Sequence, residues 1–588
     1  MRKLLIFASL LVCLHAFAQP RFTDPERAQK LARAFPDIER AFTKWAAERH
    51  MPGAVFGVIV DGELAWVKTH GVTTVGGAPV TPDSLFRIAS MTKSFTAMSI
   101  LQLRDAGKLS LEDPASKYVP ELAGLAYPTK DSPQITIRHL LTHGEGFPED
   151  NPWGDRQLAV PNDVISRWMK EGIPFSTTPG TAYEYSNYGF AILGQIIERV
   201  SGQSYPAYVR EHILLPLGMT ASTFDIPQDG TRGYRWLEGK WVEDPILAHG
   251  SFGAMGGLWT NARELAKYVS FLLSAYPPRD DAERGPIRRS SAREMQQAAR
   301  SVNATAGRAS VDAPLTMTSV SYGYGLNVVR DCRFAQLVSH SGGLPGYGSI
   351  MAWLPEHGVG VIAMGNVRYA GWRSMMNAAF DALKATGALE PRKLQPSPAL
   401  LAAQADVTKL ITSWDDALAN RIAADNLFLD DSAERRKKQY AELVAKHGKC
   451  SADTIEPENL LRGTWKLRCE RGFVNVSATL APTTPPRVQS ISVQGVMPPD
   501  AEMTRRLDAL NALAATWDAD AAAKLVTPGV DLAKLRTQLD EVKRHYGACR
   551  FKETVGGDGV ADTIAKFSCD RASIVMFVEA KEGKVSSV

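Results

Sequence analysis

The chain lacks the compositional extremes of disordered, fibrous and nucleic-acid-binding proteins. Only 6 of its 588 residues are cysteine, and 67 Lys and Arg nearly balance 63 Asp and Glu. The basic residues are scattered along the chain, so nucleic acid is not an expected partner. No H-E-x-x-H, Walker A or G-x-S-x-G pattern occurs, which removes the sequence support for a zincin, a P-loop protein or an α/β-hydrolase. What remains is a globular composition, 45% hydrophobic and 22% charged, with a length sufficient for two to four domains.

The N-terminus has the pattern of a cleaved signal peptide. A basic start precedes an apolar run from Leu4 to Leu14, and an A-x-A cleavage pattern ends at Ala18. The run is shorter than the roughly 20 residues that span a bilayer. Lipidation at Cys13 is the alternative, disfavoured because the preceding valine is larger than the small residue normally found there. We predict residues 1–18 as a signal peptide and a periplasmic or secreted protein without a stable membrane anchor.

The last quarter of the chain contains two similar segments. The sequence K-L-R-C-E-R at Lys466 recurs 100 residues later as K-F-S-C-D-R at Lys566. In each segment a charged helical stretch leads to a first cysteine, and strand-like runs follow the second cysteine. We predict two tandem α+β repeats, residues 400–497 and 498–588, joined to the rest of the chain by a linker at 386–399.

The four cysteines of these repeats are candidates for two disulfides. Four cysteines allow three connectivities. The duplication favours Cys450–Cys469 and Cys549–Cys569, because each repeat can then fold alone, and it leaves Cys332 unpaired. Disulfides fit an exported protein, since they persist in oxidising compartments.

Residues 25–385 form the larger predicted domain. A helical stretch from Pro25 to His50 precedes strand-like runs at Ala54 to Val60 and Glu63 to Thr69. Two further strand-like runs and a helix from Arg373 to Ala385 end the segment, and its middle is mostly helical. This order predicts an α+β core with a helical insertion.

Ser90 and Lys93 form the strongest catalytic candidate. Ser90 is the only serine in the chain with a lysine three residues later. Residues three apart on a helix are neighbours, so the amine can lie beside the hydroxyl. A serine hydroxyl is a weak nucleophile until a base accepts its proton, and lysine is such a base only when its pKa is lowered. Alone, the pattern is expected once or twice by chance in a chain of this length.

Two further patterns increase the specificity of this signal. Tyr185 stands two residues before Asn187, and the segment His340–Gly343 reads H-S-G-G between strand-like runs. Together with the S-x-x-K pattern, they resemble the penicillin-recognising serine hydrolases, in the class C β-lactamase-like branch. The resemblance covers roughly residues 30 to 385 and none of the tail. It implies an antiparallel sheet flanked by helices, an all-helical subdomain, and no cofactor.

The resemblance implies a catalytic role for several residues. Ser90 would be the acylated nucleophile, and Lys93 would take or relay its proton. Tyr185 would pass a proton to the leaving group, directly or through water. Asn187 would hydrogen-bond the amide side chain of the substrate.

The third motif would line the cleft on an edge strand of the sheet. His340, Ser341 and Gly342 would contact substrate, and the backbone N–H groups of Ser90 and Gly343 would form the oxyanion hole by analogy. Class C β-lactamases have lysine where this chain has His340. A histidine with an ordinary pKa near 6.5 is mostly neutral at pH 7, so we expect His340 to titrate in that range and to bind carboxylates less well than lysine does.

The sequence therefore predicts an exported serine hydrolase that acts through an acyl-enzyme on a D-amino-acid peptide or amide, a β-lactam or an ester. Cell-wall-derived peptides are among the candidate substrates. The alternatives are a β-lactamase-like carboxylesterase and a penicillin- or peptidoglycan-binding protein without turnover. His139 and His143 stand at helical i,i+4 spacing, but no carboxylate motif accompanies them, and we predict no metal. Each repeat loosely resembles the nuclear-transport-factor-like fold and could bind cell-wall polymer, mediate dimerisation or cover the catalytic domain.

Overall fold

The computed structural model describes residues 19–308, 310, 313 and 315–588. The predicted signal peptide, residues 1–18, lies outside the described residues. The chain divides into two compact units. The larger unit comprises Phe22–Gly307 and Thr316–Arg392, and the smaller unit contains Lys393–Val588 together with Arg308–Leu315. Within the described ranges, no helix is long and apolar enough to span a membrane.

The larger unit is built on an eight-stranded antiparallel sheet with the order β2-β1-β12-β11-β10-β9-β8-β7. Its strands are β1 (Gly53–Val60), β2 (Glu63–Gly71), β7 (Arg300–Gly307), β8 (Thr316–Tyr322), β9 (Asn327–Asp331), β10 (Leu337–Leu344), β11 (Tyr347–Leu354) and β12 (Val359–Gly365). Two small two-stranded sheets accompany it, β3 (Phe86–Arg87) with β6 (Trp259–Thr260) and β4 (Tyr234–Leu237) with β5 (Lys240–Glu243). This is the antiparallel α+β architecture implied by the sequence.

Twelve α-helices of the described larger unit surround the sheet or form the helical region between β2 and β7. They are α1 (Arg27–Ala32), α2 (Phe35–Glu48), α3 (Thr92–Asp105), α4 (Ile137–Leu141), α5 (Asn151–Gly154), α6 (Asn162–Glu171), α7 (Asn187–Ser201), α8 (Tyr205–Val209), α9 (Gly253–Gly256), α10 (Ala262–Ser274), α11 (Arg289–Glu294) and α12 (Arg373–Ala385).

The sheet separates two hydrophobic cores, and β1 shows why. All eight residues of β1 are buried, and successive side chains of a strand point to opposite faces. Val55 and Ile59 belong to the core shared with α3 and α7, whereas Phe56 and Val58 belong to the core shared with α2 and α12. A strand covered on both faces has a continuous apolar sequence, which is the pattern of this segment.

Strand β10, which contains the third motif, is an internal strand of the sheet. It pairs with β11 from Val338 to Leu344 and with β9 from Leu337 to Ser339. The expectation of an edge strand is therefore wrong for β10 as a whole. Strand β9 covers only the first part of β10, because β9 begins at Asn327, directly after its turn from β8, and Asn327 pairs with Ser339. Beyond Ser339, β11 is the one described strand that pairs with the motif, so its other side is open to a cavity.

The smaller unit contains two segments, each with three helices followed by an antiparallel sheet. Each segment has its own hydrophobic core. The first has α13 (Pro398–Thr412), α14 (Asp416–Ile422), α15 (Ala433–His447), β13 (Cys450–Ala452), β14 (Glu456–Asn459), β15 (Arg462–Cys469), β16 (Phe473–Leu480) and β17 (Val488–Val496). The second has α16 (Ala501–Ala515), α17 (Ala519–Leu525), α18 (Leu532–Tyr546), β18 (Cys549–Gly556), β19 (Asp562–Cys569), β20 (Ser573–Lys581) and β21 (Lys584–Ser587).

Each of these sheets contains one disulfide between paired strands. Cys450 bonds to Cys469, and Cys549 bonds to Cys569, which are the pairs that the repeat spacing favours. Cys332 is exposed and carries a free thiol. Each disulfide fixes the start of its sheet, because the bonded cysteines are cross-strand partners.

Replacing Cys549 and Cys569 together by serine should lower the free energy of unfolding of the second segment by about 3 kcal/mol, the chain-entropy value for a loop of this length. Urea denaturation monitored by far-UV circular dichroism measures the loss. The control is Cys332→Ser, which should leave stability unchanged because this thiol is exposed and unpaired. A peptide map of the unreduced protein that links Cys450 to Cys549 or Cys569 would contradict the pairing.

Candidate active site

Ser90 lies in a short 3-10 turn, Ala89–Met91, that leads directly into α3. Ala89 has a φ of 51°, a left-handed conformation that is costly for a residue with a Cβ. The Thr92 hydroxyl stabilises the turn by donating to the Ala89 carbonyl at 2.7 Å and accepting from the Leu258 amide at 3.2 Å. Ser90 is 7% exposed. The turn therefore fixes its hydroxyl group at the start of a buried helix.

Lys93 is fully buried one helical turn from Ser90. Its Nζ donates to Ser90 Oγ at 3.1 Å, to Asn187 Oδ1 at 2.7 Å and to the Met255 carbonyl at 3.2 Å. Burial lowers the pKa of the Lys93 ammonium to about 7, although the carboxylates of Asp155 and Asp150 oppose this shift. A lysine with this pKa is substantially neutral at physiological pH and can accept the Ser90 proton.

Asn187 begins α7 and lies beneath the reactive pair. Its side chain is fully buried. Its Oδ1 accepts from Lys93 Nζ, and its Nδ2 donates to Asn151 Oδ1 at 3.1 Å. Its backbone N–H donates to Asp150 Oδ1 at 2.7 Å. The carboxamide at the cavity surface is that of Asn151. In this structure Asn187 orients the Lys93 amine, and the substrate contact implied by the resemblance stays a prediction.

Tyr185 places its ring 4.7 Å from Lys93 Nζ. Burial raises the pKa of the Tyr185 phenol well above its ordinary value, although the Ser90 hydroxyl hydrogen-bonds to it. The His143 ring lies 4.4 Å behind the Tyr185 ring, and His143 Nδ1 accepts from the Ser186 amide. Burial also lowers the pKa of His143 well below its ordinary value. Tyr185 is thus a protonated phenol at neutral pH and can donate a proton to a leaving group.

His340 is neutral, and its tautomer follows from its partners. Nδ1 lies 2.7 Å from the Ser341 carbonyl, an acceptor, so Nδ1 carries the proton. Nε2 then accepts from the Tyr322 hydroxyl at 3.0 Å. Burial, aided by the Lys93 charge, lowers the pKa of His340 to about 3. The expectation that His340 titrates near 6.5 is wrong, because the side chain is 2% exposed.

Two glycines of the third motif have close neighbours, and Gly342 lies against the turn that holds Ser90. A Cβ on Gly342 would lie 2.1 Å from the Ile88 carbonyl oxygen. A Cβ on Gly343 would lie 2.6 Å from the Tyr369 ring. Since the contact at Gly342 is with backbone and is far inside van der Waals distance, only glycine fits there, whereas a side chain at Gly343 would displace the Tyr369 ring. Ser90 and Gly343 line one cavity, and their pairing as an oxyanion hole stays a prediction.

The cavity at Ser90 has a volume of about 560 Å³, within the range of small-molecule sites. Five of the residues predicted from the sequence line it, namely Ser90, Tyr185, His340, Ser341 and Gly343. Lys93, Asn187 and Gly342 lie behind this surface and support it. The cavity thus exposes the nucleophile and the phenol while it keeps the amine away from water.

Asp155 and Tyr369 are cavity residues that no sequence motif indicated. Asp155 is 4% exposed, and its Oδ2 accepts from the Tyr369 hydroxyl at 2.9 Å. Its Oδ1 has no hydrogen-bond partner among the described residues. Burial raises the pKa of Asp155 to about 6, so the carboxylate is largely ionised at pH 7. The cavity wall therefore carries one buried negative charge.

The rate of Ser90 acylation should rise with pH through an apparent pKa near 7, because only the neutral Lys93 amine accepts a proton. His340 and Tyr185 add no inflection between pH 5 and 9, because their pKa values lie outside that window. The burst of p-nitrophenol from p-nitrophenyl acetate measures this rate. The Asp155→Asn variant, which removes the carboxylate with a pKa of about 6, should keep a rising limb but shift it to lower pH, because the Asp155 charge raises the pKa of Lys93. A flat profile would exclude Lys93 as the base.

Several known proteins are similar in sequence to about half of the chain. Beta-lactamase-like protein 2 of Dictyostelium discoideum is 31% identical over 276 residues, which are 44% of this chain and 50% of that protein. Penicillin-binding protein 4* of Bacillus subtilis (strain 168) is 28% identical over 336 residues, 54% of this chain and 69% of that protein. The chain thus spans half the length of the first relative and about two thirds of the second.

A solved structure shows that the fold is shared more widely. The octameric penicillin-binding protein homologue from Pyrococcus abyssi aligns over 94% of this chain and 97% of its own, with a TM-score of 0.51 and 20% identity. The sequence model of the Beta-lactamase family matches residues 32–386, which include the S-x-x-K, Y-x-N and H-S-G-G patterns. That match covers more than half of the chain and nearly all of the larger unit. The protein therefore belongs to the beta-lactamase family of penicillin-recognising serine hydrolases.

Proposed function

We propose that this protein is an exported serine hydrolase that cleaves D-amino-acid amides or peptides through an acyl-enzyme at Ser90. The observation that carries the proposal is the Lys93 amine, buried 3.1 Å from Ser90 Oγ with a pKa lowered to about 7. A buried lysine with these properties has the proton affinity that a general base needs near neutral pH. The neutral Tyr185 phenol beside it supplies an acid for the leaving group.

The proposed acylation follows from this arrangement. Ser90 Oγ attacks the substrate carbonyl carbon while the Lys93 amine accepts the hydroxyl proton. The Tyr185 phenol then donates its proton to the leaving nitrogen, the C–N bond breaks, and the ammonium of Lys93 returns a proton to Tyr185. In the second half-reaction water attacks the acyl carbon while the neutral Lys93 amine accepts its proton, the bond to Ser90 Oγ breaks, and the Lys93 ammonium returns the proton to Oγ. Each half-reaction restores the protonation state with which it began.

The charges of the cavity favour a substrate with a free amino group. Asp155 Oδ1 is buried and unpartnered among the described residues, and a substrate ammonium would satisfy it. His340 is neutral and offers no permanent cation to a substrate carboxylate. Arg156 also lines the cavity, but it is exposed and donates to the Pro152 carbonyl at 2.8 Å. These features support D-amino-acid amides over β-lactams, which bear a carboxylate.

A β-lactamase-like carboxylesterase is the second candidate function. The same neutral His340 favours it, because an uncharged ester needs no cation in the third motif. Binding without turnover has less support, since the nucleophile, the base and the phenol are assembled within contact distance of one another.

The proposal includes the domain organisation and the compartment. A signal peptide at residues 1–18 and a catalytic domain at 25–385 precede a linker at 386–399 and tandem repeats at 400–497 and 498–588. The shared order of three helices and an antiparallel sheet supports the duplication. The disulfide in each segment supports a periplasmic or secreted location, where such bonds persist.

Ser90→Ala should abolish labelling by a fluorescent fluorophosphonate and lower kcat by about 10⁴-fold or more, because no other nucleophile replaces the hydroxyl. Intact-mass analysis measures the label, and hydrolysis of D-alanine p-nitroanilide measures turnover. Ser94→Ala, at a buried serine on α3 four residues after Ser90, is the matched control and should still be labelled. Labelling of the Ser90→Ala variant would show that the nucleophile lies elsewhere.

Asp155→Asn should lower kcat/KM for D-alanine p-nitroanilide by about 10- to 100-fold, the worth of a hydrogen bond to a charged group. The N-acetylated substrate, which lacks the ammonium, should change by less than about threefold. Tyr369→Phe keeps the carboxylate and removes the hydrogen bond that the Tyr369 hydroxyl donates to it, so it should retain the preference for the free amine. An equal loss on both substrates would mean that Asp155 acts through Lys93 rather than on the substrate.

A further inference from the structure

A second cavity adjoins the catalytic one across the short helix α5. This helix contributes Asn151 to the cavity at Ser90 and Trp153 to another cavity of about 590 Å³. The volume is within the range of small-molecule sites. Nothing in the proposed hydrolysis uses this second cavity, which we name the aromatic cavity.

Aromatic rings form much of its wall. Trp153, Trp168, Tyr188 and Phe147 all line it. The ring centroid of Trp153 lies 5.5 Å from that of Trp168 and 6.2 Å from that of Tyr188. Trp153 is 44% exposed, an unusual position for the largest apolar side chain. The Tyr188 hydroxyl is buried and has no hydrogen-bond partner within the described ranges.

The charged residues of the aromatic cavity are all acidic. Glu149, Asp150 and Glu171 line it, and no described Lys, Arg or His does. Asp150 is committed to the start of α7, where it accepts from two backbone N–H groups at 2.7 and 2.9 Å. Glu171 contacts Arg167 only at 3.8 Å, and both side chains are exposed. Two carboxylates are therefore available to a ligand beside several π-systems.

We infer that the aromatic cavity binds a small organic cation, a quaternary or alkylated ammonium. Such a cation is attracted electrostatically to the faces of tryptophan and tyrosine rings, and its alkyl groups bury apolar ring surface. Glu149 and Glu171 add a negative potential, and Arg167, which lies 3.8 Å from Glu171, is not among the residues that line the cavity. A neutral apolar ligand would gain nothing from these carboxylates, and an anion would be repelled by them. The inference does not depend on the reaction at Ser90.

Choline chloride titrated into the full-length protein tests the inference, with isothermal calorimetry and tryptophan fluorescence as readouts. Saturable binding is expected, and 3,3-dimethylbutan-1-ol, the uncharged isostere of choline, should bind at least about tenfold more weakly. Trp153→Leu keeps apolar area but removes the π-system, and it should weaken choline binding by about tenfold or more. Trp153→Phe keeps an aromatic ring and should stay within about threefold of the wild type.

The remaining variants locate the site. The double variant Glu149→Gln and Glu171→Gln should weaken choline binding by about tenfold, because it removes two exposed charge interactions, and both positions are exposed, so the fold is preserved. Asp155→Asn should bind choline as the wild type does, because Asp155 lines the other cavity. Equal affinity for choline and its isostere, an unchanged Trp153→Leu variant, a loss in Asp155→Asn, or the absence of saturable binding would each overturn the inference.

Discussion

The burial of the Lys93 amine is the constraint on which the active site depends. A buried ammonium without a closely paired carboxylate carries a desolvation penalty of several kcal/mol. The protein offsets it with three oxygen atoms, from Ser90, Asn187 and Met255, which lie on three separate elements. These contacts satisfy the amine but do not neutralise it, so burial lowers the pKa of Lys93 to about 7. The same feature that costs stability makes the lysine a base.

The groups around Lys93 are neutral for the same physical reason. Burial lowers the pKa values of His143 and His340 and raises that of Tyr185, which leaves all three side chains uncharged near pH 7. Burial also raises the pKa of Glu145 well above its ordinary value. In an uncharged wall of low dielectric constant, the few charges that remain interact more strongly with a substrate, above all the charge of Asp155. Substrate charge is therefore selected by a small number of groups.

The smaller unit follows a different principle of stability. Each of its two segments has a hydrophobic core of modest size, and a disulfide joins two paired strands at the start of each sheet. A small core supplies limited stability, so the covalent link in each segment adds to what burial provides. The segments also contact one another, since the Met497 amide donates to the Gly557 carbonyl at 3.1 Å and Asn475 Nδ2 donates to the Val555 carbonyl at 3.5 Å.

The sequence by itself determined the features that are local along the chain. The helix Arg373–Ala385 and the strands near residues 54–60 and 63–69 follow from apolar periodicity, and the structure has them within a few residues of the predicted bounds. The Ser90–Lys93 contact follows from i,i+3 spacing on one helix. Only the tertiary structure decided the rest. Tyr369 meets Asp155 across 214 residues, and no local pattern encodes that contact. The H-S-G-G strand has an open side because its pairing with β9 stops at Ser339. His340 is neutral because it is buried and contacts the Tyr322 hydroxyl of β8. Strand pairing and burial are both set by parts of the chain outside the motif.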